Sequence, residues 1–167
     1  MKSLITLGIT QHGHVSANNI SSLEKRCNHK LTLFEKIFLI NHGSTQQLLE
    51  VLSGYAISIK IVRHEEESDF IQRNVIMFKK ATKQIMLIAT SILYKNELPP
   101  QVLEEVRSSH KGIGVILLKY NFGFYRKIRE IGYNSSTSTV FRKYQILCNR
   151  KIVADIEEIF LLGRRRS

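Results

Sequence analysis

Cysteine is scarce in this chain, long apolar runs are missing, and no phosphate-loop glycine signature occurs. Of 167 residues only Cys27 and Cys148 are cysteines, and they lack CxxC spacing. That argues against a zinc site and against a disulfide framework. No metal site is expected. No stretch approaches the roughly 18 apolar residues of a membrane span, so no membrane partner is expected. The six histidines are scattered, and His12-Gly13-His14 reads as a polar segment rather than a metal site. No Ser-His-Asp or Cys-His set stands out, and no repeat or linker marks a second domain. The opening MKSLITLGITQHGHVSANN lacks both a signal peptide's apolar core and the Arg-rich pattern of a transit peptide. Residues 1–30 are expected to be a loosely attached lead-in to a single domain over 31–167.

Acidic residues are also in short supply. Lys and Arg number 25 against 14 Asp and Glu, a formal net charge of +11. Such a balance suits nucleic acid, a membrane surface or anionic metabolites. The charge is spread out, however, and the one tight run, Arg164-Arg165-Arg166, reads as a frayed tail. Abundant isoleucine and lysine with little alanine point to an AT-rich genome as a partial source of the basicity. Hydrophobic content of 43% is that of a chain with a real core rather than a disordered one.

What is present is a set of strand and helix signals. LTLFEKIFLINHG has helical apolar spacing that Asn41-His42-Gly43 interrupts, and Ser44 then reads as the N-cap of TQQLLEVL. AISIKIVR alternates, placing Ile57, Ile59, Ile61 and Arg63 on one face, and HEEESD reads as an acidic loop. Residues 70–78 and IMLIATSILY form a hairpin across KKATKQ. Pro99-Pro100 opens a helix, and KGIGVILLKYNF gives a second helical stretch after a flexible Gly-Ile-Gly. YRKIREIGY reads as a strand, with helix as the alternative. FRKYQILC and KIVADIEEIFLL flank a tight turn at Asn149-Arg150. About five strands in sequential hairpins imply an α+β fold with an antiparallel sheet.

Two charges occupy apolar faces. Arg73 shares its face with Ile71, Val75 and Met77, and Glu158 shares its face with Ala154, Ile156 and Phe160. A buried unpaired ion costs several kcal/mol, so each needs a partner or a function. A planar guanidinium can grip a carboxylate with two hydrogen bonds. An apolar setting should raise the pKa of Glu158 and let it exchange a proton. The alternatives are a structural ion pair, even between these two, or a shortened strand that lets Glu158 reach water. The helix start at Ser44 offers backbone N–H groups to an anion, although capping alone explains a serine there. Gly112-Ile113-Gly114 can bring bare backbone to a ligand or simply form a loop. Arg63 reads as a snorkelling strand terminus.

At these residues the chain resembles the chorismate pyruvate-lyase family, over roughly residues 31–162. FLINHGSTQQLLEVLSG, ISIKIVR, QRNVIMF, KGIGVILL, REIGY and ADIEEIFLL are similar, in order, to that family's segments. The resemblance implies an antiparallel sheet whose helices and flap segments cover an internal ligand cavity. It implies a carbon–oxygen lyase that removes pyruvate from chorismate and leaves 4-hydroxybenzoate without a cofactor, though catalysis can have degenerated. Arg73 and Ser44 would then hold the ring carboxylate, and Glu158 and Ile113 would meet the ring hydroxyl. Bacterial members carry an arginine near a site matching Thr90. With none here, Arg63 is the candidate for the second carboxylate. Relatives of this composition are encoded in plastid genomes, which implies a plastid (chloroplast) location. The competing expectations are a non-catalytic domain that senses a small aromatic carboxylate, and a nucleic-acid binder, which the core-like tyrosines and phenylalanines disfavour.

Overall fold

Two three-stranded meanders, joined edge to edge, make one antiparallel sheet in the computed structural model, which describes residues 4–10, 12–121 and 123–161. The first meander comprises β2 (Ile57–Glu66), β3 (Phe70–Lys79) and β4 (Ile85–Tyr94). The second comprises β5 (Tyr125–Asn134), β6 (Thr139–Cys148) and β7 (Lys151–Phe160). Pairing of β4 with β7 joins them, and β1 (Leu4–Gly8) adds to β5, giving the order β1-β5-β6-β7-β4-β3-β2. Helices α1 (Ala17–Cys27), α2 (Leu33–Ile40) and α3 (Thr45–Ser53) precede β2, and α4 (Pro100–Ser108) and α5 (Ile113–Lys119) lie between the meanders. The α+β class and the antiparallel sheet expected from the hairpin signals are present, with seven strands instead of about five. No helix among the described residues is long and apolar enough to cross a membrane.

Local chemistry accounts for the elements. Ser16 and Thr32 start α1 and α2 with reciprocal capping boxes, and Ser44 caps α3 by accepting from the Gln47 N–H. Pro100 opens α4, where a missing N–H costs nothing. The β6–β7 turn places Asn149 and Arg150 at φ 49° and 67°, the left-handed pair that a two-residue hairpin requires. Strand β2 runs on to Glu66, so the first half of the expected acidic loop is edge strand.

The lead-in expected over residues 1–30 is instead built into the fold. β1 pairs with β5 from Leu4↔Asn134 to Gly8↔Glu130, and Leu23 of α1 is fully buried. Buried Glu24 accepts from the Leu31 N–H and pairs with Lys30 and Lys36, tying α1 to α2. Those two lysines hold its pKa down at about 2. The Arg164–Arg166 run and Leu162 lie outside the described residues.

One sheet face builds the core. Across it run Met77, Leu87, Phe160 and Val140, with Phe160 stacked on Phe38 of α2 at 4.6 Å. The other face carries exposed Ile88 and half-exposed Lys143 and Glu157.

Candidate functional site

Strand register assembles the site. Val75, Ala89, Glu158 and Arg142 are successive cross-strand partners on β3, β4, β7 and β6. The next row on the same face holds Arg73, Ser91, Ile156 and Tyr144. The row beyond ends at Arg126 on β5, opposite Ile146. Side chains two residues apart share a face, so three arginines, a glutamate and a tyrosine point towards the helices. Arg73, Ser91, Arg126, Arg142 and Glu158 are all buried. Arg73 and Glu158 lie two strands and two residues apart, roughly 12 Å between backbones at ordinary sheet spacing.

Both border one cavity of about 50 Å³. Its floor is Val75, Met77, Ala89 and Ile156, and its rim is Ser44, Thr45 and the strap 111–115. Thus Arg73, Glu158, Ser44 and Ile113, each singled out in the sequence, meet at one place. Glu105 of α4 fastens the strap and α5, accepting from Lys111 Nζ, Lys119 Nζ and Tyr120 Oη. Its pKa is held at about 2 by Lys119, Lys111 and Tyr120.

Glu158 differs from expectation. Its Oε2 accepts from Nε and Nη2 of Arg142 at 2.9 and 2.8 Å. Its Oε1 accepts from Thr45 Oγ1 and Tyr144 Oη at 2.9 and 3.0 Å. Burial pushes this carboxyl up, but Arg142, Arg126 and the hydrogen bonds outweigh it, and the pKa falls below 4.5 instead of rising. Burial raises the Tyr144 phenol well above its ordinary range. Arg142, with no exposed surface, also donates to the carbonyls of Phe38 and Asn41 and stacks over the Phe38 ring. The pair is a charge-neutral joint between sheet and helices, and it leaves the carboxylate little capacity as a proton carrier.

Arg73 is differently placed. It is 2% exposed, and its Nη2 donates only to the backbone carbonyls of Ser109 and Lys111, at 3.4 and 3.2 Å. Its Nε is buried without a partner, and among the described residues it has no carboxylate. Burial lowers its pKa. Arg126 likewise donates through Nη1 to neutral acceptors, the Gly43 carbonyl and Thr45 Oγ1, and its Nε has no partner. Glu158 is hydrogen-bonded to Arg142, so three buried guanidinium groups and one carboxylate leave the cavity with an excess of two positive charges among the described residues.

Two readings need correction. Strand β2 bulges between Ile61 and Arg63, turning Arg63 to the side of Asn74, opposite Arg73. There it is half exposed and pairs with Glu65 at 2.6 Å, away from the cavity. Thr90 pairs with Asn74 and Glu157 on the opposite face, so it is not a cavity position. On β4 the positions that face the cavity are Ala89 and Ser91.

Arg142, Tyr144 and Arg126 escaped the sequence reading. The alternation that singled out Arg73 exists in VFRKYQILC, where Arg142 sits between Val140 and Tyr144, Ile146. Arg126 shares a face with Ile128, but a bulge before Glu130 breaks its pattern. Groups of three or more His, Cys, Asp or Glu that could hold a metal are absent among the described residues. No protein-family model matches the chain, and no curated protein matches it.

Proposed function

We propose that the chain is a chorismate lyase-like enzyme, whose cavity takes the ring carboxylate of its substrate on Arg73. The observation that carries this reading is a guanidinium 2% exposed, whose Nε has no partner among the described residues, at the wall of a small cavity. A cation held so dry without a counter-ion is costly, and a ligand carboxylate would offset that cost with charge-assisted hydrogen bonds. Ser44 and Ile113 at the rim would supply neutral contacts. The lyase chemistry rests on the resemblance. The ether bond from ring to enolpyruvyl group breaks, the neighbouring carbinol carbon loses its hydrogen as a proton, and enolpyruvate gains one to become pyruvate. Aromatisation drives the step, so the protein need only fix a reactive conformer and support charge on the departing oxygen. A plastid compartment belongs to this reading and rests on the same resemblance.

A space of about 50 Å³ holds a few waters but no benzoate ring, since ligand pockets run about 300–1,000 Å³. Binding on this reading therefore needs the 111–115 strap to lift together with residues 109–110 before it, which breaks the Arg73 bonds to Ser109 and Lys111 and frees that guanidinium for the ligand.

One observation favours a second reading, a domain of the same fold that binds an aromatic carboxylate without turnover. Glu158, the carboxylate lining the cavity, is saturated by four hydrogen bonds. Incubation with chorismate decides between the two. The enzyme releases 4-hydroxybenzoate and pyruvate in equal amounts, and Arg73→Ala abolishes the release. Tight binding with neither product rejects catalysis and leaves the sensing reading.

A further inference from the structure

Arg126 is a second buried cation, without an ion pair of its own among the described residues; the carboxylate whose pKa it helps to lower, Glu158, is bonded to Arg142. Arg126 is 7% exposed, and it stands between the inner cavity and an outer pocket of about 430 Å³ lined by His42, Gly43, Ser44, Gly114 and Phe124. Nη1 holds neutral acceptors, Nε has no partner, and the ring of Tyr144 lies 5.1 Å from the guanidinium carbon. Nη2 lies against the strap, so close that a Cβ added at Gly114 would sit 3.0 Å from it. Holding the Gly43 carbonyl does not require a permanent charge, because a glutamine amide donates as well. The nearby carboxylate, Glu158, already carries the charge of Arg142.

We propose that Arg126 is the subsite for a second carboxylate, so that the cavity selects a cyclic dicarboxylate over the matching monoacid. This rests on the reading of Arg73 as the first carboxylate's partner. Arg73 and Arg126 stand four strands apart, about 19 Å along the sheet, and their long side chains converge on the cavity from either side. A diacid bound between them would neutralise both cations, whereas a monoacid would leave one buried and unpaired. Arg63 is on the wrong face for this role.

The test uses the full chain and two probes, 4-hydroxybenzoate and 4-(carboxymethoxy)benzoate, with affinities from calorimetry. The parent should bind the diacid about 10- to 100-fold more tightly, the range of a hydrogen bond to a charged group. Arg126→Met should remove that preference while leaving the monoacid within about threefold, and Arg126→Lys should restore part of it. Arg73→Met should weaken both probes. Equal affinities in the parent overturn this inference alone and need no variant to fold. Equal loss of both probes in Arg126→Met, in a protein with an unchanged melting curve, overturns it as well. Failure of the parent to bind either probe overturns the reading of Arg73 and this inference with it.

Discussion

Removing Arg142 should destabilise the protein more than any other single truncation in the site. Arg142→Met keeps the aliphatic stem but leaves the Glu158 carboxylate, 3% exposed, without its ion-pair partner and with only the Thr45 and Tyr144 hydroxyls donating to it. Breaking a buried pair in this way costs about 3–5 kcal/mol. For a chain of this size that is a fall in Tm of roughly 6–20 °C. The sign with pH is informative. In the parent, Glu158 titrates below 4.5, so its contribution is complete above that value and is lost as pH falls through the folded-state pKa. In Arg142→Met the largest influence opposing burial is gone, so the carboxyl rises relative to the parent and the penalty shrinks as pH falls from 7 to 4. Glu158→Met added to Arg142→Met should recover about 2–3 kcal/mol, because an apolar pair often matches a buried ion pair. Recovery should be incomplete, since the carbonyl of Asn41 loses the Arg142 N–H. Urea denaturation of the four proteins of the cycle, at both pH values, measures this. Additive losses within about 0.5 kcal/mol, or a penalty independent of pH, would refute the joint described for this pair.

Three further outcomes follow from the same geometry. Arg73→Met should leave unliganded stability within about 1 kcal/mol or raise it, while speeding hydrogen exchange at residues 111–115, because a costly cation and the strap's latch go together; a loss above 3 kcal/mol would make Arg73 a structural residue. Gly132→Ala should cost about 1–3 kcal/mol and unprotect the amides of β1, since the added Cβ would sit 2.1 Å from Phe141 Cζ and 2.7 Å from the Ile5 carbonyl oxygen; unchanged exchange in residues 4–8 would contradict an integrated β1. Arg150→Gly should raise stability by about 1 kcal/mol in thermal melts, because it removes a side chain from φ 67°; a lower Tm would count against the two-residue turn.

Local periodicity carried much of this fold and the faces of Arg73 and Glu158. Hairpin turns, caps and period-2 strands are short-range signals, and the elements they mark are present. β1 was not legible because LITLG gains strand character only by pairing with β5, more than a hundred residues away. Arg63 was misplaced by a one-residue bulge, which inverts the face of everything after it. The apolar face around Glu158 was readable, but its ionisation was not. Burial alone pushes a carboxyl up, and the opposing sign comes from Arg142 across the β6–β7 ladder and from Thr45, 113 positions earlier. Such pairing is a property of register, which no single strand reveals.

A crystal structure of the protein grown with 4-hydroxybenzoate tests the central claim most directly. The account predicts a carboxylate oxygen within about 3 Å of Arg73 Nε, with the strap displaced from its bonds to that guanidinium. Density for the ligand away from Arg73, with the Ser109 and Lys111 carbonyls still holding Nη2, would contradict it.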